Sequence, residues 1–300
     1  MPDKAQRELR ELVGYRKSLV ADRTRELNRL QKMLEGANIK LSGTVAEING
    51  MSARVILNEL LDGKTIDKAR LEDMKKQKII AHNLRASFDQ IADDLNGVMS
   101  HLQKKMMREL LKHIDELNVH VKNLDEDIDN HMDKDEKKAV QSIIEVGGIA
   151  DASAKTIIAV IGTDMNRFPT DAHISSWSGL CPGNNESAKK RYSGKTNKGN
   201  SLLRTTLIIC AHAAVKMKNT YFSAQFYRIS AHRGKKRAYV AVAHSMLIAI
   251  YHILKDGVKY QELGAEYYNQ FNKERKINAY LKKLKEFGWT DSNTMVEQPA

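Results

Sequence analysis

The chain has no proline between Asp3 and Phe168, and apolar residues recur throughout this stretch at helical spacing. Proline interrupts helices, so its absence together with a period of three to four residues favours long helices. A first helix is expected to end at Gly36, because glycine commonly follows the last helical turn. The longest apolar stripe comprises Leu95, Val98, Leu102, Met106, Leu110, Ile114, Leu117, Val121, Leu124 and Ile128. Residues 1–138 are therefore predicted to form a helical coiled-coil region.

The apolar stripe has two possible partners. An intramolecular hairpin with the first helix would bury it, and so would the same helix of a second copy of the chain. The sequence leaves both open, so a homo-oligomer held by the coiled coil is predicted with the hairpin as an equal alternative.

Basic residues concentrate in the stretch Ser187–Lys255, which contains no Asp or Glu although the whole chain has a net charge of only +12. Such a field of one sign attracts a polyanion, and nucleic acid is the natural one. The alternative is a solvated basic face without a ligand. The basic residues are Lys189, Lys190, Arg191, Lys195, Lys198, Arg204, Lys216, Lys218, Arg228, Arg233, Lys235, Lys236, Arg237 and Lys255.

Two short apolar segments before this stretch are joined by Val146, Gly147, Gly148 and Ile149. This layout is typical of a helix-hairpin-helix unit, in which glycines let backbone N–H groups meet a DNA phosphate at the start of the second helix. We therefore predict DNA contacts at Gly147 and Gly148. The alternative is a helical corner that only packs.

Residues 181–200, called the serine loop below, are rich in proline, glycine and asparagine and predict irregular backbone. Ser187 is the hydroxyl best placed to act as a nucleophile, because surrounding cations could neutralise an attacked phosphate. A serine in a polar loop is more often a turn or capping residue, and both interpretations stay open. The predicted DNA contacts of this region are Lys189, Lys190, Arg191, Lys195, Lys198, Asn200 and Arg204, followed by the second basic cluster Lys235, Lys236 and Arg237.

Other classes of site are not favoured. The carboxylates between Asp125 and Glu136 alternate around a helix and do not share a face, so no metal site is predicted. The two cysteines, Cys181 and Cys210, lack a CxxC or CxxH partner. Neither a signal peptide nor an apolar run long enough to span a bilayer is recognised, so a cytoplasmic protein without membrane contact is expected.

The overall fold is predicted to be mainly α: a long helical coiled-coil hairpin followed by a compact helical domain with a helix-hairpin-helix-like unit. The compact domain is placed at residues 139–258 and a polar helical tail at 259–300.

The motif order from Val146 onward is specific. It continues through Gly162, Arg167 and Phe168, the run Trp177-Ser-Gly-Leu-Cys-Pro182, Ser187, Gly194 and Lys198-Gly-Asn-x-x-Leu-Arg204. In this order the chain resembles the C-terminal domain of the "one-ten" family of insertion-sequence transposases over residues 140–255. The resemblance implies a DNA transposase whose serine nucleophile falls on Ser187, acting on element ends and target DNA with a structured guide RNA. Ala188 stands where that family often has glycine.

The resemblance also implies a partner domain. Members of this family carry an N-terminal nuclease-like domain with four metal-binding carboxylates, and Met1 falls where that domain should already have ended. We therefore expect a shortened member that holds no cofactor itself, with Mg²⁺ required only together with the missing domain. The alternative function is a catalytically incomplete nucleic-acid-binding fragment that regulates transposition.

Overall fold

The computed structural model of the chain describes residues 3–45, 47–80, 86–181, 185–187, 190–193, 196–268, 273–287 and 289. Most of them lie in helices, which confirms the predicted mainly α class. The chain divides into two compact units. The helical unit comprises Glu11–His131, and the C-terminal unit comprises Met1–Arg10 together with Met132–Ala300.

Within residues 11–45, 47–80 and 86–131, the helical unit contains two long helices and four short ones between them. They are α1 (Lys4–Gly36, which begins in the C-terminal unit), α2 (Leu41–Thr44), α3 (Met51–Leu61), α4 (Lys68–Lys76), α5 (Phe88–Asp94) and α6 (His101–His131). The first helix ends at Gly36, as predicted from the sequence. Capping side chains start two of the short helices: the Asp67 carboxylate accepts the Arg70 N–H at 2.8 Å before α4, and the Ser87 hydroxyl accepts the Gln90 N–H at 3.4 Å before α5.

The short helices enclose one apolar core. Leu34, Ile56, Leu71 and Ile91 come from α1, α3, α4 and α5, and all are inaccessible to solvent or nearly so. The segments between the helices close this core, so the middle of the helical unit is globular.

Further along, α1 and α6 pair directly. The Arg16 guanidinium donates to the Asp125 carboxylate, and Leu19 packs against Leu117 and Val121. Nearer the globular core, the Arg23 guanidinium donates to the Asn118 amide oxygen at 3.0 Å. From the first contact to the second, the residue number increases along α1 and decreases along α6. The two helices therefore contact each other antiparallel within one chain. The coiled-coil geometry and the homo-oligomer stay predictions.

The predicted apolar stripe is wrong in the first part of α6. Leu102 and Met106 are 65% and 50% exposed, whereas Met107 and Leu111 are buried. This part of α6 packs on the globular core, with the Arg108 guanidinium donating to the Leu61 carbonyl at 2.8 Å. The short helices contact a different face of α6 from the face that one long partner helix would contact. This difference explains why the buried residues are not those of the predicted stripe.

The C-terminal unit is built from seven helices with a 3₁₀ turn and a strand pair among the described residues. They are α7 (Lys134–Ile144), α8 (Asp151–Ile161), the 3₁₀ turn Met165–Arg167, α9 (Asp171–Ser178), β1 (Asn185–Ser187), β2 (Lys190–Ser193), α10 (Ser201–Ala214), α11 (Tyr221–Arg233), α12 (Lys235–Asp256) and α13 (Lys273–Glu286).

At the centre of this unit lies α12, which packs against α7, α9, α10 and α11. Its Val242, Met246 and Ile250 are fully buried, and the Tyr251 hydroxyl donates to the Phe168 carbonyl at 3.0 Å. By length and composition alone α12 could cross a membrane, with a mean hydropathy of 1.4 over its most apolar part. Its packing within the unit gives the ordinary explanation, because a central core helix has the same composition.

The first turns of α1 join this unit by closing the end of α8. The Gln6 side-chain amide donates to the Ile158 and Ala159 carbonyls at 3.3 and 3.0 Å, and the Arg10 guanidinium donates to the Ala159 and Val160 carbonyls. The last carbonyls of a helix have no partner within it, so these side chains satisfy them. Gln6 and Arg10 are called the N-terminal clamp below.

Candidate nucleic-acid interface and serine loop

Backbone hydrogen bonds fix both ends of the serine loop. Gly179 ends α9 in the left-handed conformation, with φ of 73°. Beyond the loop, the Asn197 N–H donates to the Cys181 carbonyl at 3.4 Å and the Asn200 N–H donates to the Trp177 carbonyl at 3.2 Å. The residues that enter and leave the loop are therefore held side by side.

The approach of the two ends requires glycine. A Cβ atom on Gly199 would overlap the Gly179 nitrogen, which no side chain tolerates. A Cβ atom on Gly179 would in turn lie 2.9 Å from the Asn197 carbonyl oxygen. The glycine at position 199, which a phosphate-binding loop would also favour, is thus explained by packing within the domain.

Within the loop, β1 and β2 form an antiparallel pair in which Ser187 lies opposite Lys190 and Glu186 opposite Arg191. Ser187 is therefore the last paired residue before a two-residue connection. The side chains of Ser187, Lys190 and Arg191 lie outside the described part of the chain, as do Lys189 and Lys195 entirely. Their predicted roles stay predictions.

The residues after the loop start α10. The Asn200 amide oxygen accepts the Leu203 N–H at 2.9 Å, which makes Asn200 the N-cap of this helix. Lys198 is exposed just before the helix and Arg204 is half-buried in its first turns. Neither forms an ion pair with an acidic residue that the structure describes, so both cations remain available to an anionic ligand.

The glycine hairpin between α7 and α8 packs against α10. Gly148 has φ of 92°, and a Cβ atom there would lie 2.5 Å from the Ala214 nitrogen. At Gly147 the nearest atom is the flexible Met217 sulfur, at 3.1 Å. Packing alone therefore explains the glycine at 148, and the DNA contacts of this hairpin stay a prediction.

The second basic cluster lies in the first turn of α12. Lys235, Lys236 and Arg237 are all exposed, and no acidic residue occurs in this turn. No described carboxylate pairs with them. Because the N-terminal end of a helix carries partial positive charge, three cations there repel both the helix dipole and each other. An anion bound at this surface would relieve that repulsion.

One basic residue of the stretch has a structural role instead. The Lys255 ammonium donates to the Pro169 carbonyl at 3.1 Å and to the Tyr251 hydroxyl at 2.6 Å. It also lies 5.0 Å from the centre of the Tyr251 ring. Lys255 therefore stabilises the end of α12 and is occupied within the fold.

Asp171, which was not identified from the sequence, has its carboxylate close to the entrance of the serine loop. Burial raises the pKa of the Cys181 thiol and the nearby Asp171 carboxylate raises it further. Burial lowers the pKa of His244, while the same carboxylate opposes that change. Asp171 thus influences groups of both α12 and the loop entrance. The sequence does place Asp171 at the start of a helix. Its proximity to His244, however, depends on the fold and could not be predicted from the sequence.

The acidic residues between Asp125 and Glu136 have other roles. Asp125 pairs with Arg16, and Asp133 caps α7 by accepting the Glu136 N–H at 2.8 Å. Across the described ranges, no three His, Cys, Asp or Glu residues gather into a group that could hold a metal ion.

The domain that contains these features matches a known family. Residues 140–228 match the family described as Transposase IS116/IS110/IS902. Over these residues the chain is similar to that transposase family. The match begins in α7, spans the whole serine loop and ends in α11, so it confirms the resemblance seen in the sequence. A comparison of the whole chain with curated proteins gave no match. The missing N-terminal domain stays a prediction.

Proposed function

We propose that this chain is a DNA transposase of an insertion sequence that cuts and joins strands through Ser187. A domain of a transposase family supports a transposase function and an interaction with DNA. The observation that carries the proposal is the position of the match, because residues 140–228 enclose the serine loop and its basic surroundings. We place its action in the cytoplasm as part of this proposal.

The proposed reaction is an in-line displacement at a DNA phosphodiester. The Ser187 hydroxyl oxygen attacks phosphorus and loses its proton to solvent, while the bond from phosphorus to one DNA oxygen breaks and that oxygen takes up a proton. The product is a phosphoserine ester. Because one ester replaces another, the bond energy is retained, and a second strand's hydroxyl can reverse the step to join DNA.

The cations around the loop would bind the attacked phosphate. Lys190, Arg191, Lys198 and Arg204 all belong to the hairpin or to the residues that start α10. Charge-assisted hydrogen bonds from such groups stabilise the extra negative charge of the transition state. A structured guide RNA is the proposed second partner, held by the same surplus of positive charge.

Mg²⁺ does not fit the acidic residues described in this chain. A hard cation prefers several oxygen ligands at one point, and the described carboxylates are dispersed or engaged with arginines and helix caps. Any metal-dependent step is therefore assigned to carboxylates supplied from outside this chain.

The proposal is tested with a nicked suicide DNA that carries an element end, mixed with guide RNA and the purified chain. The family's nuclease-like domain is added in one series and withheld in the other. We expect a covalent protein–DNA band that disappears in Ser187→Ala. Ser193→Ala is the matched control, because Ser193 lies in the other strand of the same hairpin, and its band should persist.

The outcome separates two functions. A band that survives Ser187→Ala would refute the serine mechanism. If the chain gives no band in either series but binds DNA tightly and in a salt-dependent way, it is a nucleic-acid-binding regulator of transposition. In that case Lys198→Ala should weaken binding and lower the salt dependence by about one counterion.

A further inference from the structure

An exposed imidazole on α10 is stacked on a tyrosine of α12. The ring centres of His212 and Tyr239 are 3.5 Å apart, and the two planes differ by 21°. One face of the imidazole is therefore covered by the tyrosine. Since His212 is nevertheless exposed, its accessible surface comes from the opposite face and the ring edge. No hydrogen bond joins this imidazole to another described residue.

The stack is supported from below. The Tyr239 ring centre lies 4.5 Å from that of Phe226, which is only 5% exposed. Three elements, α10, α12 and α11, thus contribute one ring each to a continuous column that ends at the surface. A column whose inner ring is buried in the core holds its outer ring in a fixed orientation.

Cations flank the outer end of the column. Lys235 and Lys236 lie one turn before Tyr239 on α12, and Lys216 lies in the turn that follows the end of α10, four residues after His212. Residues three or four apart share a helix face, so Lys235 and Lys236 lie on the same side of α12 as Tyr239. All three cations are exposed, and the sequence has no acidic residue between Ser187 and Lys255.

We propose that His212 stacks an unpaired base of a single-stranded nucleic acid, extending the column by one ring, while Lys216, Lys235 and Lys236 bind the adjoining phosphates. This rests on the proposed function, because it names the class of strand that the basic surface takes. An unpaired base can stack its ring on an exposed aromatic face, and the phosphates beside it can bind neighbouring cations. A base paired inside a duplex presents only its edges and cannot cover the imidazole.

The test compares three variants of the full chain. His212→Ala removes the outer ring, and His212→Phe keeps an aromatic face. His232→Ala is the control, because His232 is exposed at the end of α11 and its ring stacks on no described aromatic ring. Binding is followed by fluorescence anisotropy with single-stranded DNA, single-stranded RNA and duplex DNA of one sequence. A second set of strands carries 2-aminopurine, whose fluorescence falls when it stacks.

We expect His212→Ala to bind a single strand about 5- to 20-fold more weakly. This loss of affinity corresponds to the lower end of the range measured when the aromatic partner of one stacked base is removed. The salt dependence should stay the same, since no phosphate contact is lost. His212→Phe and His232→Ala should retain both the affinity and the 2-aminopurine quenching of the original chain. The arm in which the loss occurs, DNA or RNA, identifies the strand.

Equal single-strand affinity in His212→Ala and His232→Ala would overturn the inference, and so would quenching that survives His212→Ala. If duplex binding and its salt dependence persist in that case, the proposed DNA function still stands. If the unaltered chain binds none of the three nucleic acids, both the inference and the proposed function are wrong.

Discussion

Substitution of Gln6 by alanine should destabilise the C-terminal unit markedly, although Gln6 lies more than a hundred residues from the part of the chain that it contacts. Its amide donates to the Ile158 and Ala159 carbonyls, and its oxygen accepts the Arg167 guanidinium at 3.0 Å. The side chain is only 6% exposed. Alanine would remove all three hydrogen bonds, while the Ile158 carbonyl would still accept the Gly162 N–H and the Ala159 carbonyl would still accept the Arg10 guanidinium.

The magnitude follows from these contacts. A typical hydrogen bond contributes about 1 kcal/mol net, and an unsatisfied buried partner costs somewhat more. The higher helix propensity of alanine returns a few tenths of a kcal/mol. We therefore expect a loss of about 2–3 kcal/mol, which lowers the melting temperature of a unit of this size by about 5–10 °C.

The assay is thermal unfolding followed by circular dichroism, together with hydrogen exchange of the amides at the end of α8. Gln31→Ala is the matched control, because Gln31 lies on the same helix and bonds only to the exposed Glu35. Its melting temperature should change by no more than about 1 °C. If Gln6→Ala melts within that margin of Gln31→Ala, or if exchange in α8 is unchanged, the N-terminal clamp does not stabilise the domain.

Three further predictions concern other sites. Hydrogen bonds from Arg70 hold the pKa of Glu59 below its ordinary range, so the carboxylate stabilises the fold above its unfolded pKa of about 4.3. Glu59→Gln should therefore lower the melting temperature by about 3 °C or more at pH 7, and the difference should shrink as the pH falls below the unfolded pKa and through the lowered pKa of the folded state. Gly148→Ala should cost about 3 kcal/mol or more in urea denaturation, since it meets rigid backbone, whereas Gly147→Ala should cost about 1 kcal/mol. Burial raises the pKa of Cys210, so its thiol should react with a disulfide reagent at least about tenfold faster in urea than in buffer. Equal effects of Gly147→Ala and Gly148→Ala, or equal thiol rates, would contradict these expectations.

Local signals in the sequence predicted the features that depend on neighbouring residues. Gly36 ends α1 as predicted, because helix termini are determined by a few adjacent groups. The family resemblance likewise rested on a motif order within one domain. These parts of the molecule are therefore predictable from the amino-acid sequence alone.

Features that depend on distant contacts were not accessible in the same way. The apolar stripe of α6 fits two helix faces, and only the short helices packed against it decide that Met107 rather than Met106 is buried. Glycine at 148 suited both a phosphate contact and close packing, and the approach of Ala214 could not be known from the sequence. His212 and Tyr239 lie in helices that are separated along the chain by α11, so their stacking could be known only from the fold.

The N-terminal clamp has a consequence for how this protein can be dissected. The family match covers residues 140–228, yet the end of α8 inside that span is completed by side chains from the first turns of the chain. A gene fragment encoding only residues 132–300 would retain α12 but lack the side chains that donate to those carbonyls. Adding a peptide that covers residues 1–36 should restore the missing contacts, so the two pieces could be supplied separately and would reassemble as a complementing pair.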